Sequence, residues 1–252
     1  MSSKIRGLLS IIGLLVVWEA AVRFHFVEAF ALTSPTMIVQ DMAHLIATGE
    51  LQRHIAASMT RILAGYSVAL VAGVFVGVLM GWFKLLDDFI DPIVEVFRPV
   101  SPLAILPLAI LWLGIGQASK VFVVAYGCVF PIMLNTYAGV RSVPRSTIEA
   151  ARIMGARPDE MLRKVVLPHS LPLIMTGARI SFAVSLIVII AAEMVAADTG
   201  LGYMILTAQQ TFHTSDLFAG IVTIAIIGFV GDRLLRLLRA RLCPWYVESE
   251  QR

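Results

Sequence analysis

Arg179 and Glu193 are the residues of this sequence best placed to do chemistry, because both stand in a stretch, 174 to 197, that is otherwise apolar. An ionisable group in hydrocarbon is costly and marks a path, a gate or a partner. Fourteen residues separate the two, which at about 1.5 Å rise is roughly 21 Å along one helix, so they lie toward its opposite ends. Two readings stand for each. Glu193 faces a pathway or outer gate, where a carboxylate suits an ammonium group, or it is an internal hydrogen-bond partner. Arg179 lines the same path, or it stretches its charge to the interface. Arg98, Asn135 and Glu95 are further candidates, and the prolines after Arg98 suit an irregular backbone lining a cavity.

Catalytic chemistry finds no footing. The sequence contains neither G-x-S-x-G nor H-E-x-x-H, and His25, His44, His54, His169 and His213 are scattered in or near connecting segments, where they read as structural. Its two cysteines, Cys128 and Cys243, have neither the number nor the spacing of a metal site or a disulfide framework. An intramembrane protease or lipid-modifying enzyme would need one of those sets.

The elements that must position these residues are membrane helices. Of 252 residues 58% are hydrophobic and only 15% charged, against roughly a quarter charged in soluble domains, and mean hydropathy is +0.85. A crossing needs about 20 mostly apolar residues, and the sequence predicts six: 8 to 23, 62 to 83, 99 to 116, 119 to 138, 174 to 197 and 217 to 235. Arg141, Arg145, Arg152, Arg157, Arg163 and Lys164 crowd the 139 to 173 connection, and Arg233, Arg236, Arg239, Arg241 and Arg252 crowd the C-terminus, whereas 198 to 216 has no Lys or Arg. By the positive-inside rule the 139 to 173 loop and both termini are cytoplasmic, and 24 to 61, a turn near 117 to 120 and 198 to 216 face outward. The net charge of +3 therefore reflects topology, with no nucleic-acid partner expected. Lys4 and Arg6 ahead of Leu8 to Val17 also fit a signal peptide, but an uncleaved first helix better matches an even number of crossings. The third span is the most irregular, because Pro99, Pro102 and Pro107 kink or break a helix. Gly65, Ala69, Gly73, Gly77 and Gly81 recur every four residues and predict a tightly packed face on the second span. Pro35 to Ser58, with Val39, Met42, Ala43 and Ile46 at helical spacing, reads as a helix along the outer interface or as an ordinary surface helix.

The 139 to 173 connection is the most specific feature. From Pro144 it reads P-R-S-T-I-E-A-A-R-I-M-G-A-R-P-D-E-M-L-R-K-V-V-L-P. Pro144 suits a first helical turn and Gly155 a left-handed stop. A second short helix is predicted from Pro158, with Asp159 and Glu160 against its positive end, stopping at Pro168. The expected shape is a helix-turn-helix knob, with the paired alanines as a flat surface for a partner.

These residues resemble the membrane subunits of type I, binding-protein-dependent ABC importers, whose EAA loop reads E-A-A, three residues, G, nine residues, I-x-L-P. Glu149-Ala150-Ala151, Gly155 and Val165-Val166-Leu167-Pro168 fit at every interval, with Val165 in place of isoleucine. The resemblance runs from about His54 to Trp245 and includes Arg98 to Gly116, Asn135 to Val143 and Ala192 to Tyr203. Within the family it is closest in pattern to permeases for taurine, aliphatic sulfonates and nitrate. The resemblance implies an all-α integral membrane fold, with 1–53 an N-terminal helix and outer segment, 54–238 the transmembrane domain carrying the EAA loop, and 239–252 a cytoplasmic tail. It implies a homodimeric pathway in the bacterial inner membrane, among lipid. A cytoplasmic ABC ATPase would dock at Glu149, Ala150, Ala151, Gly155, Leu167 and Pro168, and a periplasmic or lipid-anchored binding protein would deliver solute. No phosphate loop G-x-x-x-x-G-K-[ST] occurs, so no cofactor is expected on this chain and ATP would be used by the partner. An ATP-independent transporter or channel would use the same crossings but has no need of this loop.

Overall fold

The computed structural model describes residues 3–24 and 32–245, without the side chains of 3–8 and 11; His25 and Arg252 lie outside it, as do the side chains of Lys4 and Arg6. The described residues form helices alone: α1 Ser3–Arg23, α2 Pro35–Ala47, α3 Glu50–Trp82, α4 Lys84–Phe97, α5 Pro102–Leu113, α6 Gln117–Arg141, α7 Arg145–Ile153, α8 Pro158–Met161, α9 Leu167–Ala196, α10 Leu201–Gln210 and α11 Thr214–Leu242. They fall into two compact units, Met1–Met59 with Glu193–Ile226, and Thr60–Ala192 with Ile227–Arg252. With no competing water in hydrocarbon, every backbone polar group must be satisfied within the segment, and a helix is how a single chain does this.

In the second unit the glycine stripe of α3 lies directly on α6. A Cβ on Gly65 would stand 2.8 Å from Val124, on Gly73 3.0 Å from Ile132, on Gly77 2.7 Å from Thr136 and on Gly81 2.6 Å from Val140. Each step along α3 is matched by an equal step in the same sense along α6, so the two helices run parallel. The chain between them must therefore return across the bilayer. That return is made by α4 and α5, which together are long and apolar enough to cross although bent by 96°. The span predicted over 99 to 116 is thus a broken one that begins earlier, at Lys84. Pro102 starts α5 and Ser101 precedes it in extended conformation, as the residue before a proline prefers. By length and apolarity α3, α6, the continuous rod Pro158–Ala196 and α11 each qualify as crossings, and α1 covers the first predicted span.

Antiparallel contacts place α9 centrally in this unit. Its Ser170 lies against Gly139 and its Gly177 against Asn135 of α6. Tyr66 of α3 donates its hydroxyl to the Ala178 carbonyl at 2.9 Å, and the Ser181 hydroxyl donates to the Cys128 carbonyl at 2.8 Å. Leu186 and Phe182 abut Gly228 and Gly231 of α11. Met80, Val94 and Met133 form one core cluster where α3, α4 and α6 meet.

In the first unit, Ser34 caps α2 by accepting the Met37 N–H at 3.4 Å, with Pro35 as the first helical residue. The segment 35 to 58 is two helices rather than one, because Gly49 takes φ +80° between them. Ile38 and Leu45 are the buried side chains of α2, while Val39 and Ile46 are exposed.

Candidate functional site

The loop after α6 is built as the sequence predicts at its first half. Pro144 precedes α7 and its carbonyl accepts the Thr147 N–H at 3.0 Å. At the other end the Ala156 N–H returns to the Ala151 carbonyl at 3.1 Å and Gly155 stands at φ +80°, a Schellman stop. Nothing lies within 4 Å of a Cβ built on Gly155, so backbone conformation and not space demands glycine there. Glu160 closes the next turn: its carboxylate accepts the Arg157 N–H at 3.2 Å and the Lys164 ammonium at 3.0 Å.

The second half departs from expectation. The chain does not stop at Pro168; Leu162–Val166 form a π turn that leads straight into α9. A proline inside an α-helix clashes with the carbonyl four residues back, and the wider turn just ahead of Pro168 is where such a helix adjusts. Val165 and Val166, with Val140, Val143, Ile148, Leu162 and Trp82, form the apolar base that seats the loop. Leu167 and Pro168 are half-buried in that same continuous helix.

The alanine pair does not form one flat outer surface. Ala151 is buried, whereas Glu149 and Ala150 are exposed. The apolar surface offered outward comes from the two residues after Arg152, Ile153 at 87% and Met154 at 80% exposure. They occupy the three-residue gap of the motif, and sequence reading passed over them. Beneath the loop lies a groove of about 530 Å³ lined by Trp82, Ile148, Arg152, Ala156, Pro158 and Met161.

The membrane candidates separate. Arg98 and Asn135 come together in a groove of about 500 Å³ with Tyr126, Phe130 and Pro102, where α4 breaks against α6. Tyr126 holds the break by donating its hydroxyl to the Phe97 carbonyl at 2.7 Å, and Asn135 donates to the Pro131 carbonyl at 2.8 Å. The Arg98 guanidinium makes no hydrogen bond or ion pair with the described residues. Glu95, one turn earlier, is exposed.

Glu193 is fully buried in the first unit. Its carboxylate accepts the Ser58 hydroxyl at 2.8 Å and the Gly202 N–H at 3.0 Å, while Ser58 accepts the Leu201 N–H at 2.8 Å and His54 Nδ1 accepts the Gly200 N–H at 3.0 Å. Three side chains thus satisfy the first N–H groups of α10, and the carboxylate opposes the positive end of its dipole. A Cβ on Gly200, at φ +125°, would collide with the Glu193 carboxyl. Replacing Glu193 with Ala orphans buried donors at about 1–3 kcal/mol each and is expected to lower the melting temperature by about 5 °C or more, with Glu193→Gln losing less. A thermal melt of the solubilised protein reads the difference.

Arg179 pairs with Asp232 of α11, which also holds Arg236 at 2.8 Å. It is a bridge between α9 and α11 and does not line the Arg98 groove. Sequence reading also missed two buried cations. Arg61, 2% exposed, donates to Gln117 Oε1 at 2.5 Å, and Lys120, 3% exposed, donates to the Gly116 carbonyl at 3.0 Å.

Comparison with known proteins places this geometry. A family model described as binding-protein-dependent transport system inner membrane component matches residues 69–243. The chain is 37% identical over 242 residues to the taurine transport system permease protein TauC of Escherichia coli, covering 94% of this chain and 88% of that one. It is 34% identical over 240 residues to the aliphatic sulfonates transport permease protein SsuC of Bacillus subtilis, covering 95% and 87%. To the bicarbonate transport system permease protein CmpB of Synechococcus elongatus it is 36% identical, covering 73% and 66%. Among solved structures, an inward-facing MetNI methionine ABC transporter has a similar fold, with TM-score 0.62 at 24% identity over 74% of this chain and 95% of that one.

Proposed function

This chain belongs to the family of binding-protein-dependent transport system inner membrane components, and from that premise we propose that it carries a small sulfonate, taurine foremost, along a path completed by a second copy of itself. Membership makes the chain a membrane-embedded permease subunit of an ATP-driven importer, not itself an enzyme, that works with a separate ATPase and a solute-binding protein. The finer reading rests on one observation: Arg98, whose guanidinium has no partner among the described residues, lines a groove with Asn135 and Tyr126 at the break of a membrane span. Arg98 is itself exposed, so its guanidinium is open to a charged passenger in the groove. A sulfonate gains charge-assisted hydrogen bonds from a guanidinium, and the exposed Glu95 one turn away suits the ammonium of taurine better than it suits nitrate.

Ile153 and Met154 are the surface offered to the ATPase, in the cytoplasm, where the basic residues of the loop and of both termini also lie. The binding protein docks at the outer face, and the membrane is the bacterial inner membrane. ATP binds to the partner, and no cofactor binds here.

Purifying the tagged chain from its host in mild detergent is expected to bring down a P-loop ATPase, and absence of one after gentle cross-linking would overturn the docking reading. For the solute, Arg98→Gln is expected to lower taurine uptake about tenfold, the loss of one charge-assisted hydrogen bond, with Arg98→Lys retaining most of it. Equal uptake by wild type and Arg98→Gln would remove Arg98 from the path.

A further inference from the structure

We infer that Asp87, Tyr137 and Arg141 form a latch that makes the coupling loop and the broken α4–α5 span move as one body, so that Arg141 is a positioning residue for transport. The inference rests on the reading of α7 as the ATPase contact. Arg141 is the last residue of α6 and stands four residues before α7 begins. Its Nη2 donates to Asp87 Oδ2 at 2.8 Å, and Tyr137 donates its hydroxyl to the same oxygen at 3.0 Å. The guanidinium also lies 3.2 Å from the Tyr137 hydroxyl and 5.4 Å from the centre of its ring. The three groups close a ring in which each touches the other two.

The position of this ring gives it leverage. Asp87 is in the first turn of α4, and α4 ends at Phe97, whose carbonyl is held by Tyr126, next to Arg98 and the groove. Ile90 and Val94 between them pack on Met80 and Met133. The helix carrying the groove arginine is therefore fixed to α6 at both ends, by apolar contact along its length and by the latch at the end nearest the loop. A push on α7 reaches Arg141 directly, and through Asp87 it reaches the whole of α4. Apolar packing alone permits α4 to slide along α6; a directed ion pair at one end opposes sliding.

The latch is also incomplete in a way that suits a moving part. Asp87 is 7% exposed, and its second oxygen, Oδ1, is buried without a hydrogen-bond partner among the described residues. A buried acceptor left empty costs free energy, so an ion pair selected for stability alone would use both oxygens. An Arg141 that shifted with the α6 end would have this second oxygen of the same carboxylate to bind, so the pair could persist through two arrangements.

The test compares ATP hydrolysis with solute uptake in the full transporter, this chain with its ATPase and binding protein in lipid vesicles, using radiolabelled taurine. Arg141→Met is expected to leave ATPase association intact and hydrolysis within about twofold while uptake per ATP falls about fivefold, and Arg141→Lys to restore most of that ratio. A ratio unchanged from wild type, or uptake and hydrolysis falling in proportion, would overturn the latch. If Arg141→Met does not assemble, Tyr137→Phe removes one hydrogen bond with little change of shape; its ratio should fall about twofold, and an unchanged ratio counts against the proposal just as firmly. The two levels of failure are distinct: a wild-type chain that recruits no ATPase sinks the docking reading, whereas a wild-type chain that transports with a ratio insensitive to these residues sinks the latch alone.

Discussion

Glutamate at both Ile153 and Met154 will detach this chain from its ATPase and abolish uptake while leaving its own fold intact. The two side chains are the most exposed large apolar residues of the loop, at 87% and 80%, and they sit at the tip of a helix whose base is anchored by Val143, Val166 and Ile148. Closing a partner over such a pair is worth about 1.5–3 kcal/mol per side chain. A carboxylate buried in its place adds a desolvation cost. With about 1.4 kcal/mol per tenfold in affinity, the double variant is expected to lose at least about two orders of magnitude in binding. Because neither residue touches the core of its own chain, the melting temperature should match wild type. A variant that melts early would instead make these residues structural. Ala151→Glu is the useful contrast: that position is buried, so it should fail by misfolding and not by detachment.

Gly77→Val is expected to remove folded protein altogether. A Cβ there would stand 2.5 Å from the Met133 carbonyl and 2.7 Å from the Thr136 side chain. The first of these is backbone of α6 and cannot swing aside; relief requires α3 and α6 to part along the whole stripe that also includes Gly73 and Gly81. Overpacking of this kind costs about 1–3 kcal/mol even where side chains can yield, and here the register of two parallel helices is at stake. Gly13→Ala, where no atom lies within 4 Å of the added carbon, should be harmless. Size-exclusion profiles of the detergent extracts decide it: a monodisperse peak for Gly77→Val at wild-type height would contradict the packing described.

The parts of the molecule legible in sequence are those set by local chemistry. Hydropathy located the crossings made by α3, α6, α9 and α11, the four-residue spacing of glycines located the α3–α6 contact, and Gly155 marked the stop of α7, because each signal is carried by the residues themselves. The break of the third span was legible only as prolines. Its start at Lys84 was not, since α4 carries Asp87, Asp88, Asp91 and Glu95 and does not read as part of a crossing by itself. What lay hidden are partnerships across the chain. Glu193 reads equally as a gate or as an internal hydrogen-bond partner because Ser58, its hydrogen-bond donor 135 residues away, cannot be seen from the apolar stretch it sits in. Arg179 is bound by Asp232, and Arg141, which read as one more positive-inside charge, holds Asp87. The loop motif drew attention to its alanines, yet one of them packs inward, and the adjoining Ile153 and Met154 face out because a nine-residue helix turns them there.

The most direct test of the account is uptake of radiolabelled taurine into vesicles that hold this chain, its ATPase and its binding protein, with ATP supplied on the ATPase side. Accumulation that needs ATP and the binding protein, and that vanishes with the Ile153 and Met154 double variant, is the predicted result. Taurine movement that continues without ATP, or that survives the double variant, would contradict it and return the chain to the class of ATP-independent transporters and channels.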